Sequence, residues 1–243
     1  MRNKWVTPAG RVYDLFDDML TRPHLLIAGA TGTGKSVLIN GLIYTALFKT
    51  PEQVQFILVD PKRVELLDYR ETPHCLYYAN DKNMINALQF AIDLIEKRYK
   101  EMESRHIKSF IGPRVYVVID EMADLLTTNK REATPLIQRI AQIGRAAGVG
   151  LIAATQRPTN DVIGNKITVN LDCRVGLRTE NKQDSRNIIG AAGCETLPDP
   201  LTEHKAQCIY KHGVKLEKWE LPYIQQNTLD AIVTHWAKQN KRR

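Results

Sequence analysis

The sequence predicts an α/β fold, a mostly parallel sheet flanked by helices and closed by a C-terminal β-hairpin. Three observations predict it. Short apolar runs alternate with longer segments of helical period, the pattern of a parallel sheet covered on both faces. A glycine-rich loop joins the first apolar run to a helical segment, and a later run ends in two adjacent acids. At 243 residues, 43% hydrophobic and 25% charged, the chain suits one large domain with a substantial core.

Taken in order, Leu25-Leu26-Ile27-Ala28 reads as a buried strand. It runs into Gly29-Ala30-Thr31-Gly32-Thr33-Gly34-Lys35-Ser36, which fits G-x-x-x-x-G-K-[ST], and Val37 to Ile43 then reads as a helix. Val54 to Val59 is a second strand, ending at Asp60-Pro61-Lys62. From Met84 to Met102, apolar residues recur every three or four positions, the mark of an amphipathic helix. Val115 to Ile119 is a third strand, entering Asp120-Glu121. A helix is expected from about Thr134 to Ala147, stopped by Gly148. Val149 to Ala154 is a fourth strand, ending at Thr155-Gln156-Arg157-Pro158. Cys173 to Leu177 and Ala206 to Tyr210 are further strands, and the latter turns at Lys211-His212-Gly213 into Val214 to Trp219 as a terminal hairpin.

The loop at 29–36 is the Walker A element in the strand–loop–helix setting that it requires. Glycines let its backbone turn N–H groups toward a polyanion, and the helix start adds partial positive charge. Gly29, Thr31, Gly32, Thr33, Gly34, Lys35, Ser36 and Val37 are therefore the expected ATP-binding residues. Lys35 is expected to reach the β- and γ-phosphates, and the Ser36 hydroxyl to ligate Mg²⁺. Val117-Val118-Ile119-Asp120-Glu121 has the form of a Walker B element. Asp120 would hold the magnesium, directly or through water, and Glu121 would orient and deprotonate the attacking water. Gln156 ends the next strand; in this class of ATPase a polar residue on the adjacent strand lies near the γ-phosphate and senses its loss, and Gln156 is expected to be that residue. An acid directly after the Walker B aspartate, with an extra strand before it, favours a RecA-like P-loop motor over a kinase. Arg145 lies at the end of the post-Walker-B helix with no obvious local partner, and reads equally as a helix-end cation or as an arginine completing a neighbour's site.

Together these motifs resemble the motor domain of the FtsK/SpoIIIE DNA translocases. Pro23 to Ser36 looks like the family's Walker A stretch, and Asp60-Pro61-Lys62-Arg63-Val64-Glu65-Leu66 like its D-P-K-x-x-E-L. Pro73-His74-Cys75-Leu76, Glu96-Lys97-Arg98-Tyr99-Lys100 and Asp120-Glu121-Met122-Ala123-Asp124-Leu125 follow its P-H-L-L, E-R-R-Y and D-E-F-A-D-L. Arg145-Ala146-Ala147-Gly148, Thr155-Gln156-Arg157-Pro158 and Asp184-Ser185-Arg186 match its R-A-A-G, T-Q-R-P and D-S-R. The resemblance implies an ATP-driven motor that forms a hexameric ring and moves double-stranded DNA through its centre. It implies that Arg145 is the trans-acting arginine, and that Arg157, Lys166, Arg178 and Lys182 lie in loops facing DNA. Such contacts would be sequence-independent and salt-sensitive. The expected division is a lead-in at 1–22, the RecA-like motor at 23–225, and a C-terminal helix with a basic tail at 226–243. The chain departs from the family at Thr168, where a lysine is usual, at Asp172-Cys173-Arg174, and in a nearly absent insertion before Walker B.

Composition bounds the remaining readings. The net charge of +7 fits a phosphate-bearing partner. No apolar run approaches the ~18 residues needed to span a bilayer, and Met1-Arg2-Asn3-Lys4-Trp5 opens no signal-peptide core. Cys75, Cys173, Cys194 and Cys208 show no C-x-x-C spacing, so reduced thiols in a cytoplasmic setting are expected. Room for a C-terminal winged helix is lacking, so the chain is expected to be the motor alone. The alternatives are a coupling ATPase for conjugative single-stranded DNA transfer or protein secretion, and a nucleotide-binding scaffold without turnover.

Overall fold

The computed structural model describes residues 5–6, 12–13, 19, 21–171, 173–203 and 205–240. Its strands are β1 (Trp5–Val6), β2 (Val12–Tyr13), β3 (His24–Ala28), β4 (Val54–Val59), β5 (Cys75–Ala79), β6 (Arg114–Ile119), β7 (Val149–Thr155), β8 (Cys173–Gly176), β9 (Gln207–His212) and β10 (Lys215–Glu220). Helices are α1 (Lys35–Ala46), α2 (Met84–Ser104), α3 (Met122–Ile143), the short α4 (Asn160–Ile163) and α5 (Asn165–Thr168), α6 (Lys182–Ile189), short α7 (Pro200–Glu203) and α8 (Gln226–Asn240). The strands form one sheet in the order β2-β1-β10-β9-β8-β3-β7-β6-β4-β5. The run from β8 to β5 is parallel. From β8 outward, β9, β10, β1 and β2 pair antiparallel.

Alternation along each central strand divides the core in two. Leu26, Ala28, Ile57, Val59, Val117, Ile119, Leu151 and Ala153 face one layer with α2 and α3. Leu25, Ile27, Phe56, Leu58, Val118, Ile152 and Ala154 face the other, with α1 and the hairpin residues Tyr210 and Trp219. Because both faces are covered, these strands read as unbroken apolar runs rather than alternating ones. Gly150 sits where a Cβ would fall 2.5 Å from the Pro23 carbonyl oxygen and 2.6 Å from the Tyr116 ring. That close approach explains a glycine inside a central strand. Among the described residues, no helix is long and apolar enough to cross a membrane.

Three sequence expectations are corrected. The helix after Asp120-Glu121 begins at Met122, well ahead of the expected start near Thr134, and it ends at Ile143 rather than Ala147. Glu121 caps it by accepting the Ala123 N–H, and the interruption falls at Asn129, whose φ of −131° breaks the turn. The weakly apolar stretch before Pro135 had hidden the first half. The edge strand β5 went unforeseen, since its half-exposed residues carry little periodic signal. The second hairpin strand starts at Lys215, because Gly213 (φ 58°) and Val214 form the turn.

α8 packs back on the body: Trp236 Nε1 donates to the Leu47 carbonyl at 2.8 Å, and its ring meets His74 edge-on at 4.7 Å. The four cysteines are free, and burial pushes the Cys75 thiol up to about 12 and Cys194 up to about 11. His74 is fully buried, with Nε2 2.9 Å from the Lys49 carbonyl, so that nitrogen must donate. Its Nδ1 has no partner among the described residues. Burial therefore lowers its pKa, against the opposing pull of the Lys49 carbonyl. A lowered value means that the unfolded chain takes up the proton first. The stabilisation is present above the ordinary value of about 6.5 and is lost as pH falls from there through the lowered folded value. Melting temperature should accordingly drop between pH 7 and 5, and His74→Phe should flatten that slope in thermal denaturation scans.

Candidate active site

The loop after β3 is anchored before it turns. The Gly29 N–H reaches the Thr155 carbonyl at 3.4 Å, and Ala30 N–H donates to the Arg178 carbonyl at 2.8 Å. A Cβ at Gly29 would lie 2.5 Å from the Leu177 Cβ, so only glycine fits between β7 and β8. Gly32 (φ 78°) and Gly34 (φ 104°) take left-handed backbone, and the Thr33 hydroxyl closes the loop on the Ala30 carbonyl at 2.6 Å. α1 then starts at Lys35, with no side-chain cap at Gly34 and no acid in its first turn. A helix start left uncapped by its own chain, behind a glycine loop, suits a phosphate.

Lys35 and Asp120 form the centre. The ammonium donates to Asp120 Oδ1 at 2.6 Å and to the Asp120 carbonyl at 2.7 Å, with the side chains only 4% and 2% exposed. β6 brings Asp120 there: its N–H bonds the Val59 carbonyl, one strand over. Ser36, half-buried on the first turn of α1, and Asp120 offer the hard oxygen donors that Mg²⁺ accepts alongside phosphate oxygens. Among the described residues, no group of three or more His, Cys, Asp or Glu could hold a metal by itself.

Glu121, 2% exposed, is also held by the chain. Its Oε1 accepts the Thr155 hydroxyl at 2.7 Å and Ala123 N–H at 3.2 Å, and its two oxygens receive the Gln156 N–H at 3.1 and 3.3 Å. Gln156 in turn accepts the Thr31 hydroxyl at 2.9 Å, joining the loop to the end of β7. The register explains the meeting: β3 lies between β8 and β7, Ala28 opposite Thr155 and Ile119 opposite Ala153, so the carboxyl ends of adjacent strands align. Beside them a groove of about 380 Å³ is lined by Ala30, Thr31, Gln156, Arg157, Arg178 and Asp184.

The remaining predicted residues disperse. Arg178 flanks the loop and pairs with Asp199 at 3.2 Å. Arg157 is exposed just beyond β7, and Lys182 is exposed at the start of α6, where the Asn181 side chain accepts the Asp184 N–H. The Lys166 side chain, like residue 172, lies outside the described residues. Arg145 is exposed in the turn between α3 and β7, at the amino end of the parallel strands. β7, seven residues long, puts roughly 20 Å between it and the Lys35 end of the same chain.

A sequence model of the FtsK/SpoIIIE family matches residues 10–112 and 108–160. The chain belongs to the FtsK/SpoIIIE family. Among curated FtsK/SpoIIIE relatives, it is 38% identical to the DNA translocase FtsK of Borreliella burgdorferi over 198 residues, 74% of this chain and 25% of that protein. The Helicobacter pylori (strain J99) DNA translocase FtsK is 41% identical over 196 residues, 74% of this chain and 23% of its own. The chain thus spans about a quarter of the length of these relatives. In fold it resembles the cytoplasmic domain of the Thermomonospora curvata type VII secretion ATPase EccC (TM-score 0.81, 23% identity), covering 96% of this chain and 30% of that one. The conjugation coupling protein TcpA of pCW3, solved with ATPγS, gives a TM-score of 0.77 at 22% identity, with 97% and 71% covered.

Thr155 and Asp199 were not singled out from the sequence. Thr155 stands inside the quoted T-Q-R-P motif, so the family pattern carried a signal for it; Asp199, 21 residues beyond Arg178, gave none. In the D-S-R element the buried Ser185 bonds the Ala191 carbonyl and Cys194 N–H, which makes it a bracket for the loop after α6. The buried Lys35–Asp120 pair has a stability consequence. Lys35→Ala would strand a buried carboxylate, and should cost about 3–5 kcal/mol in nucleotide-free protein. Denaturant unfolding should detect that loss, and adding Asp120→Asn should recover much of it.

Proposed function

We propose that this chain is an ATP-hydrolysing motor that translocates double-stranded DNA through a ring of its own copies. The single observation carrying the proposal is the Lys35–Asp120–Glu121 centre, built on strand ends against a glycine loop, in a chain of the FtsK/SpoIIIE family. The curated relatives named DNA translocase FtsK favour DNA as the cargo.

In this reading Lys35 leaves Asp120 for the β- and γ-phosphates, and the loop amides of 29–34 with the start of α1 hold the nucleotide. Ser36 and Asp120 would hold Mg²⁺, whose charge offsets that of the phosphates. Water attacks the γ-phosphorus as the bond to the β–γ bridging oxygen breaks, releasing ADP and phosphate, while Glu121 takes the water proton. Gln156, bonded to Thr31, senses the γ-phosphate. Arg145, roughly a strand length from its own loop, serves a neighbouring subunit in a ring, whose count of six is taken from the family resemblance. Arg157, Lys166 and Lys182 contact DNA phosphates. Arg178 is assigned the same role, though its pairing with Asp199 beside the loop also suits it to link DNA and nucleotide.

ATP turnover measured with duplex DNA, single-stranded DNA and no DNA tests the reading. Duplex should stimulate most, and the effect should weaken steeply between about 50 and 200 mM salt. Glu121→Gln should reduce turnover by at least about 10²-fold with nucleotide binding retained. Arg145→Ala should lose about 10³-fold, and mixing it with Glu121→Gln chains should restore part of the activity. Turnover indifferent to every DNA would refute the motor reading, while greater stimulation by single strands would favour conjugative coupling.

A further inference from the structure

Thr155 closes β7 with its side chain fully buried, between two groups that the proposed cycle uses separately. Its hydroxyl donates to Glu121 Oε1 at 2.7 Å, and the same oxygen accepts the Arg157 N–H at 3.1 Å. A hydroxyl between a carboxylate and an N–H has its polarity fixed: the proton points to the anion and a lone pair to the amide. Each bond polarises the other, so weakening one weakens its neighbour.

The surroundings confine where a disturbance can enter. Glu121 offers about four lone-pair directions, and donors from Ala123, Thr155 and Gln156 engage them. Two of those three donors belong to the first residues of the segment that carries Arg157. On its far side, the segment is pinned where Asn187 Nδ2 donates to the Pro158 carbonyl at 2.9 Å, with Pro158 buried. Between the Thr155 and Pro158 anchors, Arg157 alone is exposed and Gln156 half-buried. A pull on the Arg157 side chain is therefore delivered to its own N–H, and from there to the Thr155 oxygen.

We propose that Thr155 is a positioning residue that couples polyanion contact at Arg157 to the freedom of Glu121. While the Arg157 N–H stays on Thr155, the carboxylate is retained by chain donors; a phosphate that draws Arg157 outward loosens this hold and lets Glu121 turn to the attacking water. The inference rests on the reading of Glu121 as the water-activating base and Arg157 as a DNA contact, and adds the link between them.

The test is ATP turnover of the whole chain with and without saturating duplex DNA, for wild type, Thr155→Val, Thr155→Ala and Thr155→Ser. Valine keeps the β-branched shape without the hydroxyl, and alanine removes both, so agreement between them isolates the hydroxyl from packing. In both, DNA-free turnover should rise about three- to tenfold, the bias that one hydrogen bond supplies. The ratio of stimulated to basal rate should shrink by a like factor, and serine should restore the wild-type ratio. Should valine fail to fold by thermal melt, alanine and serine carry the comparison. An unchanged ratio in the hydroxyl-free variants overturns the coupling, as does an equal fall of both rates. Glu121→Gln in parallel separates the failures. If it still turns over ATP, the base reading falls; if it is dead while the ratio stays fixed, only the Thr155 link does.

Discussion

An ammonium and a carboxylate, both almost wholly out of water, face each other at 2.6 Å where β3 and β6 end. Neither could be buried alone without a penalty of several kcal/mol, so the pair imposes conditions on everything around it. Lys35 must leave the glycine loop at the first residue of α1, and Asp120 must be carried to the same depth by a strand two places away in the sheet. β7 fills the gap between those strands and supplies Thr155 and Gln156 at its own end. The constraint that brings Lys35 to Asp120 therefore also brings the second acid, Glu121, against the end of β7.

The parallel sheet gives the molecule two unlike edges. At the carboxyl edge, loops converge: Ala30 on the Arg178 carbonyl, Thr31 on Gln156, Glu121 on Thr155. At the amino edge, the turn bearing Arg145 is clasped by other contacts. Tyr99 donates to the Ile143 carbonyl and Phe110 N–H to that of Ala146, and the buried Arg98 bonds the Ala147, Gly148 and Pro113 carbonyls. Arg98 lies over the Phe110 ring at 4.2 Å, and burial lowers its pKa to about 10, still above neutral pH. Arg98 and Tyr99 of the E-K-R-Y segment of α2 thus bond the carbonyls around Arg145, which is itself exposed.

How much of this was legible follows from the range of each signal. The Walker A loop, the apolar strands and the acids after β6 are local patterns, readable because each needs only its neighbours in sequence. β5 was not, because an edge strand with half-exposed residues has no strong period. The first half of α3 was missed because its start depends on a cap, Glu121 to Ala123 N–H, that looks from sequence like catalytic equipment alone. Arg178 was grouped with the DNA-facing residues, yet its carbonyl holds the nucleotide loop and its guanidinium pairs with Asp199.

The sequence by itself determined the chemistry available: a glycine loop that only left-handed backbone can follow, a lysine and hydroxyl at a helix start, and an acid pair on a buried strand. Its ordered motifs also marked the family. Only the tertiary structure decided which groups meet, because strand order is set by packing between segments far apart in the chain. The order β8-β3-β7-β6 interleaves residues from both ends of the domain. Thr155 stands between Glu121 and Arg157, and Arg145 lies a strand's length from Lys35, for that reason.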